Sequence, residues 1–329
     1  MMRTVHTIIT GVMGLALCLS WAKPARGEAA APTTRPSLKQ ALADLHVPPA
    51  WFETTRLTWD TARPWKDGRI EIRRLLAGTP DEVRQAVKLT WLYAAKGDIG
   101  DGHELPMYLF MSGNYAWATV EYPKYLRKVA GKGAVHASLC YAACLAHFGE
   151  HAQAVEAAGQ ALKDLPPKPW RINAVASVHA HLGDLYAGLG QPEKAREHYA
   201  EAVKLYPTSD QPYGRHLLVR RAAMVQAKLD LLSMAGLGTV PLRDGTYTGK
   251  SLGYSDARDL AVTVVIGGGK ITDVRVDHQE KIELNATRII PAQIIAKQSL
   301  KVDVVTGATV TSQAIVDGAL KALRQAGLK

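Results

Sequence analysis

One spacing of small and large residues recurs in the alanine-rich, helical stretch from about residue 79 to 235, and it dictates the architecture there. Residues 179–207 carry Leu182, Gly183, Tyr186, Ala195, Tyr199, Ala202 and Pro207. An earlier stretch presents Tyr141, Ala142, Leu145, Gly149, Ala154, Ala158, Ala161 and Pro166. Gly149 and Gly190 are 41 residues apart, and Gly113, with Leu109, Ala118 and Tyr122, lies 36 residues before Gly149. Such a period builds a chain from copies of a helix–turn–helix unit, with small residues where two helices touch. Gly190-Gln191-Pro192 supplies the turn, its proline near the start of the second helix. A single unit cannot bury its apolar face, so about three must stack. Leu217, Leu218, Ala222, Val225, Leu229 and Leu232 give residues 213–234 a closing helix that caps the stack.

The spacing resembles the tetratricopeptide repeat, most closely over 179–207, less over 138–166 and weakly before that. The repeat has a period of about 34 residues. The step from Gly149 to Gly190 is then one repeat with a seven-residue insertion around Pro167-Lys168-Pro169-Trp170. Two roles stay open for the repeats: a concave docking surface, or a scaffold that only positions the C-terminal domain. Residues 37–78, with Trp51, Trp59 and Trp65 among prolines and charges, read as an extension packed on the repeats.

At the N-terminus, Arg3 and His6 precede an apolar run from Ile8 to Leu19, and Ala25-Arg26-Gly27 is a small-x-small cleavage site. This is the pattern of a secretory signal peptide over 1–27, followed by a leader. The run is short for a membrane span. Cleavage takes away three basic residues and no acid, leaving +7 of the formal +10. The excess favours acidic partners or an anionic surface. Its dispersal and the export signal argue against nucleic acid. The expected location is periplasmic or extracytoplasmic, soluble or peripherally membrane-associated. Cys140 and Cys144, four apart on a helix, read as small interior residues.

After residue 238 the texture changes. Val262–Ile266 and Ile271–Val276 are β-branched runs separated by Gly267-Gly268-Gly269-Lys270, which reads as a β-hairpin. Two amphipathic helices come next, around 289–297 and 312–326. Between them lies Asp303-Val304-Val305-Thr306-Gly307-Ala308-Thr309, then Val310-Thr311-Ser312. Ile315, Val316, Ala319, Leu320 and Leu323 form the apolar face of the last helix, and Thr311 or Ser312 is the expected N-cap. The loop thus meets the positive end of a helix dipole, where a phosphate is stabilised, and places the Thr309 hydroxyl there.

From Asp244 to about Leu323 this domain resembles the FMN-binding domain family found in flavin subunits of Rnf complexes and of sodium-translocating NADH:quinone reductase. The resemblance rests on Asp244-Gly245-Thr246-Tyr247-Thr248-Gly249 with Gly253-Tyr254, on Gly269-Lys270-Ile271-Thr272-Asp273-Val274, and on Asp303 to Ser312. It implies FMN joined through its phosphate to Thr309 by a flavin transferase, with Asp303, Thr306, Gly307 and Ala308 completing the motif. No catalytic residue and no metal ligand of the chain's own are expected. Gly307 would let backbone approach the phosphate, and Thr311 and Ser312 belong to the same helix entrance. Tyr254 and His278 are further candidates for contact with the flavin ring. Family members often continue His-x-Glu-Thr-Pro-Gly, where this chain has His278-Gln279-Glu280-Lys281-Ile282-Glu283. The resemblance therefore does not carry over the choice of redox partner.

The resulting fold class is α+β multidomain: an all-α tetratricopeptide-like domain, then a small α+β FMN-binding domain. The divisions are 1–27 signal peptide, 28–78 leader and extension, 79–235 repeats and 240–329 FMN-binding domain. The expected function is an exported electron-transfer flavoprotein, its repeats docking a redox partner protein or a membrane electron-transfer complex. The alternative is a cell-envelope tetratricopeptide adaptor whose last domain lacks flavin. A flavin reductase or dehydrogenase with its own small substrate ranks behind both, because the sequence has no nicotinamide fingerprint and no convincing acid/base pair. There is also no His-Glu-x-x-His zinc site, P-loop or nucleophile elbow.

Overall fold

The computed structural model describes residues 36–100, 102–233, 237, 240–255, 258–280, 283–305 and 308–328. The export signal expected over 1–27 lies outside them. Among the described residues, no helix is long and apolar enough to cross a membrane.

The helical part opens with two short helices, α1 (Leu38–Ala43) and α2 (Trp51–Thr54). Four pairs come after them: α3 (Trp65–Leu76) with α4 (Pro80–Ala95), α5 (Glu104–Met111) with α6 (Tyr115–Lys128), α7 (Val135–His147) with α8 (His151–Gln160), and α9 (Arg171–Gly188) with α10 (Pro192–Leu205). The three glycines in repeat register are the turns of three of these pairs. Gly113, Gly149 and Gly190 have φ of 77°, 81° and 69°, a left-handed conformation that a residue with a Cβ resists. The weak first copy is therefore a genuine helical pair, with Leu109, Ala118 and Tyr122 buried inside it. The boundary expected at 78/79 falls inside the α3–α4 pair, where Thr79 and Glu82 form a reciprocal capping box at the start of α4.

Gly183 shows why small residues recur. A Cβ there would stand 2.3 Å from the Tyr199 ring, so α9 and α10 close only because Gly183 has no side chain. Cys140 and Cys144 are buried in the repeat core, and burial pushes the Cys140 thiol up to about 12.

The closing helix α11 (Arg215–Ser233) is buried on two sides. Leu218, Ala222 and Val225 join Ala195, Tyr199 and Ala202 of the last repeat, with Leu229 and Leu232 packed beside them. Arg220, Met224, Ala227 and Leu231 lie along a second stripe at helical spacing. Leu231 packs against the core of the C-terminal domain, and Asp230 pairs with Arg324 there at 3.1 Å. The cap of the repeats is thus also a wall of the next domain.

That domain is a three-stranded antiparallel sheet in the order β1 (Gly245–Ser251), β2 (Leu260–Gly267), β3 (Lys270–Asp277). Two helices complete it, α12 (Ala286–Lys297) and α13 (Thr309–Gln325). Leu260, Val262, Val264 and Ile266 alternate inward from β2 and meet Ile290 and Ile294 of α12 and Ile315 and Leu323 of α13. The expected hairpin is present. Asp244 caps its turn, accepting the Gly268 and Gly269 N–H groups at 2.9 Å each, which holds its carboxyl below the usual range. Gln298 takes both backbone groups of Ile271, as a neighbouring strand would, and so fixes the end of α12 to the edge of β3.

The helix α13 lies directly on the sheet. A Cβ on Gly249 would stand 2.1 Å from the Gly318 carbonyl oxygen, and one on Gly318 would stand 2.6 Å from Val262. Gly249→Ala should therefore force helix and strand apart and destabilise the domain by about 1–3 kcal/mol, measured by denaturant unfolding of the full chain.

Candidate functional site

The first turn of α13 carries most of the hydroxyls singled out in the sequence. The helix begins at Thr309, and its N-cap is Ala308, which makes no side-chain capping bond. This corrects the expectation that Thr311 or Ser312 is the N-cap. The reason is that both hydroxyls are engaged elsewhere. Ser312 Oγ donates to the Ala308 carbonyl (2.9 Å) and accepts the Val305 N–H (3.1 Å), closing the loop from inside the helix. Thr311 donates its hydroxyl proton to Glu280.

The earlier start puts Thr309 at the first helical position, where N–H groups have no acceptor within the helix and the dipole favours an anion. Thr309 is only 5% exposed, and Ala308, Thr311 and Ser312 are buried with it. Thr306 and Gly307 lie outside the described residues.

Asp303 stands before this loop and is tied to α12. Its N–H donates to Gln293 (3.0 Å), and its carboxylate pairs with Lys297 at 3.3 Å. It positions the approach to the loop; no bond joins it to the hydroxyls of α13 among the described contacts.

Glu280 is the residue that gathers the site. Its carboxylate accepts the Tyr254 N–H (2.8 Å), the Ser255 N–H (3.0 Å) and the Thr311 hydroxyl. It draws the loop after β1 onto the first turn of α13. Gly253 makes room for it, since a Cβ there would stand 2.2 Å from Glu280 Oε1. His278 bonds within its own segment, its Nδ1 accepting the Glu280 N–H at 3.2 Å. Tyr254 remains 42% exposed, so its ring is available as a stacking surface.

Two of these residues escape sequence reasoning. Glu280 is visible there only as the glutamate of His278-x-Glu280. Arg220, on α11, is 8% exposed and donates from Nε to the Gly253 carbonyl (2.6 Å) and from Nη2 to the Ser255 carbonyl (2.9 Å). An arginine beside Arg221 on a helix gives no sequence signal that it reaches another domain.

The residues present fit a phosphate-bearing flavin. Thr309 offers a hydroxyl at a helix N-terminus, Ala308 adds little bulk, and the Glu280 carboxylate is already satisfied by three donors. Among the described residues no cluster of His, Cys, Asp and Glu could hold a metal ion.

Glu280→Ala should leave two backbone N–H groups without their acceptor and cost about 1–3 kcal/mol in thermal or chemical unfolding, with Glu280→Gln, which keeps an acceptor oxygen, costing less.

Residues 253–324 match the FMN-binding domain family and residues 176–209 match the tetratricopeptide repeat family. A curated relative, NADH:acrylate oxidoreductase of Vibrio harveyi, is 41% identical over 96 residues, 28% of this chain. This chain covers only 9% of that protein's length. A solved structure, MamA RS-1 ArsTM double mutant, is 22% identical, covering 53% of this chain and 96% of that one, with a TM-score of 0.34 that supports no fold argument. The chain carries an FMN-binding domain toward its C-terminus and, upstream of it, a stretch that matches the tetratricopeptide repeat.

Proposed function

We propose that this protein is an exported electron carrier whose FMN is held covalently through its phosphate by the Thr309 hydroxyl. The observation that carries the reading is the placement of Thr309 as the first residue of α13, inside the stretch matched by the FMN-binding domain family. Bound there, FMN supplies one- or two-electron chemistry. The chain's own residues hold and surround it. The first turn of α13 stabilises the remaining phosphate charge through its N–H groups. Ser312 keeps Val305 and Ala308 close to that turn, and Asp303 with Lys297 fixes the approach to it. Tyr254 offers a ring face to the isoalloxazine. A covalent tether converts a binding equilibrium into permanent occupancy, which suits a compartment without a flavin supply.

Attachment requires a flavin transferase in the same compartment, with an activated flavin nucleotide (a flavin dinucleotide) as donor: the Thr309 Oγ1–P bond forms as the pyrophosphate bond breaks, and the nucleoside monophosphate and the hydroxyl proton leave. Thr309 is 5% exposed, so on this reading the enzyme would meet the segment before the domain closes over it, or in an opened state. The repeats would then dock a redox partner or a membrane electron-transfer complex. The name of the Vibrio relative describes an oxidoreductase.

Intact-mass measurement of the exported chain, made together with a flavin transferase, is expected to show the added mass of FMN less one water and retention of colour after denaturation. Thr309→Ala should lose both. An unmodified, colourless wild-type product would instead favour a flavin-free adaptor.

A further inference from the structure

The buried arginine on the closing helix joins the two domains beside the first turn of α13. Arg220 is 8% exposed, and its guanidinium is used on three backbone carbonyls: Gly253 and Ser255 in the other domain, and His216 (2.8 Å) in its own helix. A buried guanidinium is tolerated only where its donors are satisfied, and its planar fork holds what it grips in one orientation. Here it grips the carbonyls on either side of Tyr254. The Tyr254 and Ser255 N–H groups donate instead to Glu280, and Glu280 accepts the Thr311 hydroxyl. An unbroken series of hydrogen bonds therefore runs from α11 through the loop at 253–255 and Glu280 to α13, ending two residues from Thr309.

The remainder of α11 makes the same junction. Leu231 and Asp230 reach the C-terminal domain about 16 Å farther along the helix, at roughly 1.5 Å per residue. The contact is thus anchored at two points.

From this geometry, and resting on the flavin reading above, we propose that the repeat domain completes the flavin site: Arg220 is a positioning residue that fixes the Gly253–Ser255 loop and the Tyr254 ring beside the first turn of α13. The repeats then set the flavin's surroundings directly, in addition to any docking.

The test uses the full chain made with a flavin transferase, comparing wild type, Arg220→Ala, Arg220→Lys and, as a control on the exposed side of the same helix, Val219→Ala. Hydrogen exchange is followed at the Tyr254 and Ser255 amides in flavin-free protein. Visible circular dichroism and the flavin midpoint potential are followed in loaded protein, and thermal unfolding confirms the fold. Arg220→Ala should exchange both amides on the order of tenfold faster and change the visible dichroism and the potential. Arg220→Lys should fall between it and wild type, and Val219→Ala should match wild type. A folded, loaded Arg220→Ala protein with wild-type exchange, dichroism and potential would overturn the proposal. If Arg220→Ala does not fold, Arg220→Lys decides, and wild-type dichroism and potential in that variant would overturn it. If the wild type takes up no flavin, the flavin reading fails and this proposal with it; the exchange data then show only whether Arg220 fixes the loop.

Discussion

Everything at the proposed flavin site depends on how closely α13 can approach the sheet. The helix crosses β1 and β2 at a point where neither Gly249 nor Gly318 has a side chain, and an added methyl group would collide with backbone or with Val262. That contact fixes the depth of the helix. Ser251, bonded to the buried Asp317 at 2.6 Å, and Lys321, which donates to the Lys250 carbonyl of β1 at 3.0 Å, fix its rotation. With depth and rotation set, the first turn of α13 can only emerge beside the loop after β1. Thr309, Thr311 and Ser312 are placed there by packing that occurs about two turns farther along the helix.

The repeats and the hairpin are legible in the sequence because each arises from local pattern. The glycines at 113, 149 and 190 need a left-handed turn, and the alternation along β2 needs one buried face. The start of α13 is not legible. A Ser or Thr before an apolar stripe normally caps a helix, but here tertiary partners recruit both hydroxyls: Glu280 takes Thr311, while Ser312 closes the loop at Val305. Local propensity gives way to contacts made by residues distant in the chain. Glu280 and Arg220 escape notice for the same reason. Each acts on backbone groups of a loop far away in sequence, and single charged residues show no periodicity.

The closing helix α11 changes what the repeats mean in this chain. A terminal helix of a repeat stack ordinarily turns a polar face to solvent. This one buries Leu218, Ala222 and Val225 against the repeats and carries Arg220, Asp230 and Leu231 to the flavin-binding domain. The two domains therefore share an element, which ties the orientation of the loop at Tyr254 to the repeat stack.

The flavin attachment proposed for this chain rests on one oxygen atom, the hydroxyl of Thr309. Tryptic digestion of the full chain, prepared with a flavin transferase, should release the peptide covering residues 302–321, bounded by Lys301 and Lys321. Fragmentation of that peptide should place the mass of FMN less one water on Thr309. The same mass on Thr306, Thr311 or Ser312, or its absence from the peptide, would contradict the account.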